Sequence, residues 1–148
     1  MKNIWYNEEK GRWDMEDCRL TITTMVNGEE SNIIRRGTMQ LLPLSAKLSY
    51  QDEDAIVHLQ LDKNCAYIER KGDYTLSLHL VPEEQNIGHI GIMGSDGEIV
   101  VYTHKVAYSI GQDSLLLSLH YDLLFGEEKQ EMKLRLLARY DKIRKEGK

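Results

Sequence analysis

Alternation of apolar and polar residues is the clearest pattern in this sequence. Apolar residues occupy every second position over 115–123, with mostly polar residues between them. The same alternation appears over 55–62 and over 75–80. Because successive side chains of a β-strand point to opposite faces, this period indicates half-buried strands with an apolar inner face and a polar outer face.

Further segments of similar length, separated by turn residues, extend this series. We predict additional strands over 18–26, 31–40, 44–51, 65–70, 87–93, 98–105 and 106–111. Asn27-Gly28 and Asp96-Gly97 predict tight hairpins, since Asn, Asp and Gly tolerate the positive φ values that such turns require. Turn signals that recur about every ten residues are typical of an all-β sandwich or barrel.

Two segments are ambiguous. Residues 128–146 are rich in helix-forming residues, yet apolar residues also alternate there, and we favour a last strand through about Tyr140 over a helix. Residues 1–16 show no clear period and fit an ordered lead-in, a short helix or a frayed end. The predicted organisation is a lead-in over 1–16, a barrel over 17–141 and a basic tail over 142–148.

Composition narrows the class of protein. The chain has 148 residues, with 19 Lys and Arg against 24 Asp and Glu, so its net charge is −5. This length fits one soluble domain, and the acidic balance counts against a nucleic-acid-binding role. No apolar run reaches the roughly 20 residues of a membrane span, and the first residues lack the apolar core of a secretory signal. We therefore predict a cytoplasmic protein.

Many short segments of this chain match, in their order and spacing, segments of a known protein family. They are residues 20–26, Asn27-Gly28, Gly37, the segment ending at Tyr50, 68–72, 76–81, 97–99, 102–103 and 114–124, with Tyr121-Asp122-Leu123 before Gly126. Over residues 18–141 the chain resembles the YwiB-like family of small bacterial proteins of unknown function. The resemblance implies a lipocalin-like, or calycin-like, antiparallel β-barrel, and it implies no activity and no site residues. We predict one closed up-and-down barrel of about eight to ten strands.

Two patterns suggest chemistry, and we favour a structural explanation for each. Glycines at 88, 91, 94 and 97 do not have the spacing of a phosphate-binding loop, so we expect a bulged or sharply coiled strand where glycine relieves crowding. Ser118, His120 and Asp122 have the composition of a hydrolase triad. They alternate along one strand, where same-face neighbours lie roughly 6–7 Å apart, too far for a nucleophile and its base.

The potential metal ligands and thiols are dispersed along the sequence. The five histidines are His58, His79, His89, His104 and His120. They form no H-x-H or H-x-x-x-H pair, so scattered surface histidines are the favoured interpretation and no metal site is predicted. Cys18 and Cys65 are expected to be free packing residues. No catalytic, cofactor-binding or metal-binding residue is predicted.

Two features of the chain ends have a bearing on the barrel. Gly11-Arg12-Trp13 resembles the Gly-x-Trp of lipocalins, whose indole closes one barrel end under an arginine that Arg135 or Arg139 could supply. The basic tail over 142–148 could contact RNA or an anionic membrane, but it lacks interleaved aromatic residues and is expected to be a solvated end.

Three functional hypotheses follow. The first is a non-enzymatic binding module that holds a small apolar or amphipathic molecule inside the barrel. The second is a structural or interaction barrel, a homodimer, suggested by the apolar residues Leu116, Leu124, Leu137 and Ile56 on otherwise polar faces. The third is an enzyme with its chemistry in the barrel interior, and it ranks last because no inward-facing acid, base or nucleophile can be named. We predict no cofactor, no nucleic-acid partner and no membrane partner.

Overall fold

The computed structural model describes residues 15–141 and the backbone of two short strands before them, β1 (Tyr6–Asn7) and β2 (Arg12–Trp13), which pair with each other. Ten longer strands follow. They are β3 (Glu16–Val26), β4 (Glu29–Leu41), β5 (Ser45–Asp52), β6 (Ala55–Asp62), β7 (Cys65–Lys71), β8 (Tyr74–Leu80), β9 (Gln85–Ile92), β10 (Ser95–Ile110), β11 (Ser114–Phe125) and β12 (Glu128–Tyr140).

Strands β3 to β12 form a closed antiparallel barrel. Each strand pairs with the next one along the chain, and β12 pairs with β3 to complete the ring. Closure leaves no sheet edge open for aggregation, which is the physical advantage of this topology. The predicted up-and-down barrel is therefore confirmed with ten strands. The part of the chain that the structure describes has no helix that could cross a membrane.

The core lies inside the barrel and follows the alternation in the sequence. Residues of the predicted inner faces of β6 and β11 are buried, and leucines dominate the larger fully buried side chains. Those leucines are Leu20, Leu48, Leu61, Leu80, Leu115, Leu117, Leu119 and Leu136. Residues 128–140 form a strand, so the helical alternative is wrong there. Packing of alternate residues against the interior outweighs the helix propensity of this segment.

One predicted hairpin is confirmed and the other is wrong. Asn27 and Gly28 adopt φ values of 51° and 87° and connect β3 to β4. Asp96-Gly97 instead lies within β10, and Met93 and Gly94, with φ values of 51° and 83°, make the turn between β9 and β10. A methionine with positive φ gives no signal in the sequence, because such conformations are uncommon for side chains of its kind.

The segments predicted as separate strands over 98–105 and 106–111 form one strand, β10. Its pairing with β11 shifts by one residue between Thr103 and Lys105, so His104 is the extra residue of a β-bulge. A bulge lets a long strand bend with the barrel wall without ending. The interruption of the alternation near His104 is therefore a bulge within a strand and not a boundary between strands.

The glycine run relieves crowding, as predicted, but it makes no bulge in the β9–β10 pairing. A Cβ on Gly88 would lie 2.6 Å from the carbonyl oxygen of Ser77, and a Cβ on Gly91 would lie 2.6 Å from Oγ1 of Thr75. Close approach of β8 to β9 therefore requires glycine at Gly88, whereas the atoms nearest to Gly91 belong to side chains that can rotate.

Both cysteines are free. Cys18 is fully buried, and burial raises the pKa of its thiol to about 12, with the charges of Asp141 and Asp17 acting in the same direction. A thiol in this state is unreactive at neutral pH, which confirms the interpretation of Cys18 as a packing residue.

Candidate functional site

A concave region on the outside of the barrel forms the candidate site, which we call the outer groove. It encloses about 540 Å³ above the outward faces of β5 to β9. This volume lies within the range of about 300–1,000 Å³ that is typical of small-molecule sites. The outward-facing residues that line it are Lys47, Ser49, His58, Gln60, Tyr67, Glu69, Ser77, His79, Ile87 and His89, joined by Met15 from the segment before β3.

Strand pairing places five polar side chains of the outer groove in one continuous row. Ser49 lies opposite His58, which lies opposite Glu69. Glu69 lies opposite Ser77, and Ser77 lies opposite His89. Directly opposed residues on one sheet face have Cβ atoms about 4.5–5.5 Å apart, so neighbours in this row can bind one small molecule together.

A second row beside the first contains an aromatic pair. Lys47 lies opposite Gln60, Gln60 opposite Tyr67, and Tyr67 opposite His79. The rings of Tyr67 and His79 are stacked, with centroids 4.2 Å apart and an interplanar angle of 10°. The ring of Tyr67 is held in place although 43% of the residue is exposed to solvent. The pair gives the groove a flat aromatic wall.

Backbone pairing between β8 and β9 stops beside this aromatic pair. Their pairing ends at Ser77 and His89, and residues 78–80 continue without a partner on β9. His79 lies on this unpaired part of β8, and its Nε2 atom is buried without a hydrogen-bond partner among the described residues. Asn86 on β9 also has a buried Nδ2 atom without such a partner, but it lies opposite the inward-facing Val101 and does not line the groove. Buried polar atoms are nearly always hydrogen-bonded, so the unpartnered His79 nitrogen can still form a hydrogen bond with a ligand.

Apolar groups complete the outer groove. Ile87 is 57% exposed at one side, and Met15 is half-buried at another. Exposed aliphatic side chains next to a polar row give the groove an amphipathic lining. The outer groove can therefore bind a small molecule by ring stacking, hydrogen bonding and apolar contact.

The three residues of the triad pattern lie on the outward side of β11, where two of them belong to separate pairs. His120 bonds Glu131, with 2.8 Å between Nε2 and Oε2, and Asp122 bonds His104, with 2.7 Å between Oδ2 and Nε2. Neither pair includes Ser118, so the preference for a structural explanation stays a prediction. Asp122 lies on the predicted polar outer face, yet it is only 5% exposed, and its carboxylate contacts His104.

Sequence reasoning missed the contact between two of the five histidines. The rings of His104 and His120 have centroids only 4.4 Å apart, so the interpretation of scattered histidines is wrong for this pair. The signal was present in the connection between β10 and β11. Folding the chain back at Gly111 brings positions 104 and 120 close together across the two strands. That the chain binds no metal stays a prediction.

The features at the chain ends lie largely outside the described residues. The side chain of Trp13 and the whole tail over 142–148 belong to that part, so the proposed closure of one barrel end by an indole stays a prediction. Arg135 and Arg139, its possible partners, are both exposed on β12.

Apolar residues on the outer faces lie where the alternation predicted. Leu116 is 53% exposed and Ile56 is 46% exposed. Leu116 lies directly opposite Leu137, which is half-buried. This apolar pair is on β11 and β12 and does not line the outer groove.

Comparison with known proteins shows the family and the fold. A search of curated proteins found no match. The crystal structure of the ywiB protein from Bacillus subtilis is similar to this chain, with a TM-score of 0.72 and 14% sequence identity, over 86% of this chain and 94% of that chain. At this identity the likeness shows the barrel fold alone, and it agrees with the YwiB-like resemblance. The family described as "Domain of unknown function (DUF1934)" matches residues 44–136, more than half of the chain, and the chain therefore belongs to the DUF1934 family.

Proposed function

We propose that this protein is a non-enzymatic binding module for a small amphipathic molecule and that the molecule binds in the outer groove. The observation that carries the proposal is the state of His79. Its ring is stacked on Tyr67, and its Nε2 atom is buried without a partner among the described residues. A ligand that reaches this atom as the groove adjusts, and donates or accepts one hydrogen bond there, would satisfy it.

The lining of the outer groove defines the class of ligand. A planar ring would extend the Tyr67–His79 stack, since aromatic rings prefer stacked or edge contacts with one another. Polar substituents would bond the row formed by His58, Ser77 and His89, while an apolar part would contact Ile87. An amphipathic molecule of drug-like size meets all three requirements.

Packing inside the barrel supports a site on the outer surface instead of the interior. The buried inward-facing leucines on β3, β5, β6, β8, β11 and β12 are 0–7% exposed and form one continuous cluster, against which the partly buried Leu76 and Leu134 pack. Interiors packed in this way have few voids larger than a water molecule. The ligand hypothesis from the sequence is therefore kept, with the binding site moved from the barrel interior to the outer groove.

A second candidate function is assembly into a homodimer through the opposite face. The Leu116–Leu137 pair supports it, and Ile34, 62% exposed, lies two strands from Leu137 in the same cross-strand row. Three arginines in the adjacent row, Arg139, Arg19 and Arg36, would oppose close contact between two copies. Because of this repulsion between two copies, we rank the homodimer below the binding module.

Fluorescence titration with the amphipathic dye 1-anilinonaphthalene-8-sulfonate tests the proposed function. We expect saturable binding by the folded protein, and loss of that binding in Ser77→Trp, because the indole fills the outer groove. The matched control is Ser31→Trp, which adds an indole to an exposed serine outside the groove. Equal dye binding by Ser77→Trp and Ser31→Trp, or no saturable binding by the unmodified protein, would contradict the proposal.

A further inference from the structure

The bulge in β10 brings an imidazole to a buried carboxylate. His104 is the extra residue between Thr103 and Lys105, whose partners on β11 are Tyr121 and His120. In this position Nε2 of His104 lies 2.7 Å from Oδ2 of Asp122. Bulges in sheets often redirect a side chain next to a functional site, and here the redirected side chain is a potential metal ligand.

The carboxylate of Asp122 is in an unusual environment. Its side chain is 8% exposed, and no Lys or Arg forms an ion pair with it in the described part of the chain. It hydrogen-bonds the ring of His104, whose side chain is 40% exposed. Burying a carboxylate is costly unless a cation or several donors compensate it. One hydrogen bond to an imidazole offsets only a small part of the cost of burying this carboxylate, and a bound cation would offset more of it.

A second imidazole completes the cluster. His120 lies two residues before Asp122 on the same face of β11, with its ring centroid 4.4 Å from that of His104. One ligand atom from each of His104, His120 and Asp122 lies within 4.8 Å of the others. Tetrahedral ligation with bonds of about 2.0–2.2 Å needs donors roughly 3.3 Å apart, so small side-chain rotations suffice.

Around this cluster lies a carboxylate that can orient one ligand. Oε2 of Glu131 is 2.8 Å from Nε2 of His120, and the backbone nitrogen of Glu131 donates to Oδ1 of Asn27 at 2.8 Å. Metal-ligating histidines commonly donate their other ring N–H to a carboxylate, which fixes the orientation of the ring. Glu131 is itself anchored by the turn at Asn27, so it can position His120 in this way.

We propose that His104, His120 and Asp122 bind a divalent transition-metal ion such as Zn²⁺, with Glu131 as the residue that orients His120. Two imidazoles and one carboxylate are a donor set that suits zinc and its neighbours, whereas calcium and magnesium prefer oxygen ligands alone. Three protein ligands leave a coordination position for water or another small ligand. This site is on β10 and β11, and its residues do not line the outer groove.

Titration of the untagged, chelator-treated protein with Co²⁺ and then Zn²⁺ tests this proposal. We expect one Co²⁺ per chain with the intense visible absorption of a four- or five-coordinate site, and its displacement by Zn²⁺. In the unmodified protein, zinc should also shift the imidazole NMR signals of His104 and His120 and leave those of His58 and His89 in place. Absence of binding up to about 1 mM metal, or shifts at His58 and His89 instead, would overturn the proposal.

Variants locate the site within the folded protein. Asp122→Asn keeps the shape of its side chain, and His104→Gln replaces the imidazole with an uncharged amide. Each should weaken Co²⁺ binding by more than about 100-fold, while Glu131→Gln should weaken it by about 10–100-fold. His58→Gln is the matched control and should bind as the unmodified protein does. Unchanged affinity in His104→Gln and Asp122→Asn would place the ion elsewhere and overturn the proposal. Metal binding in the unmodified protein does not depend on dye binding in the outer groove, so the two proposals can fail separately.

Discussion

The ring of Tyr67 is stacked on the imidazole of His79, with centroids 4.2 Å apart, across two neighbouring strands of the outer groove. Stacking between two such rings contributes about 0.5–1.5 kcal/mol beyond their burial. Tyr67→Ala and His79→Ala should therefore destabilise the protein non-additively. A double-mutant cycle on urea unfolding measures the coupling. Strictly additive losses would show that the stack contributes nothing to stability.

Crowding between β8 and β9 predicts that an alanine destabilises the protein at position 88 but not at position 97. A Cβ at Gly88 would lie 2.6 Å from the carbonyl oxygen of Ser77 and 2.7 Å from Cδ2 of Leu78, so Gly88→Ala should lower the free energy of unfolding by about 1–3 kcal/mol. Gly97→Ala is the matched control, because its nearest atoms are 4.0 Å away. Thermal and urea unfolding measure the stability of the two variants. Equal stability of the two variants would contradict the close approach of β8 and β9.

Three arginines in one cross-strand row predict a stabilising substitution. Arg19 lies directly opposite Arg36 on one side and Arg139 on the other. Like charges in opposed positions are unfavourable, and the ion pair of Arg36 with Asp141 offsets only part of this repulsion. Arg19→Thr should therefore raise the free energy of unfolding, by at most about 1 kcal/mol at low salt. Salt should reduce this gain because it screens exposed charges.

Arg135→Thr is the matched control for that substitution. Arg135 is also exposed on β12, but it lies opposite Thr23 and Ser118. A similar gain in Arg135→Thr, or a gain in Arg19→Thr that does not change with salt, would show that repulsion within the row is not the cause.

The raised pKa of Tyr50 predicts how the stability of the protein changes at alkaline pH. Burial, followed by the charge of Asp52, raises the pKa of Tyr50 to about 12, although Arg35 acts in the opposite direction. The unfolded chain then loses this proton more easily than the folded protein. Stability from this group is complete below pH 10 and is lost as pH rises from 10 through 12, by up to about 1.4 kcal/mol per pH unit.

Urea unfolding of Tyr50→Phe at pH 9, 10 and 11 measures that contribution. The free energy of unfolding should fall less steeply with pH in the variant than in the unmodified protein. The same slope in both proteins would contradict the raised pKa.

Local patterns in the sequence predicted most of the barrel. The alternation at 115–123 identified the buried face of β11, and Asn27-Gly28 identified a hairpin because its residues favour the φ values that the turn needs. The continuity of β10 across its bulge and the turn at Met93-Gly94 could not be predicted in this way. Both depend on register between strands, which is set by contacts across the barrel.

The candidate sites were less accessible from sequence than the fold. The alternation identified His58, Gln60, Ser77 and His79 as outward-facing, but the rows of the outer groove depend on the pairing of five strands. His104 and Asp122 are 18 residues apart and meet only because of the bulge in β10. A site assembled from single residues on separate strands leaves no motif of fixed spacing in the sequence.

Mapping of the dye-binding site by amide NMR tests the central claim most directly. On titration with 1-anilinonaphthalene-8-sulfonate, shift changes are predicted at outer-groove positions, with the largest at Tyr67, Ser77, His79 and His89. Shift changes confined to inward-facing residues away from the groove, such as Leu20, Leu115 and Leu136, or to the face around Leu116, would contradict binding in the outer groove.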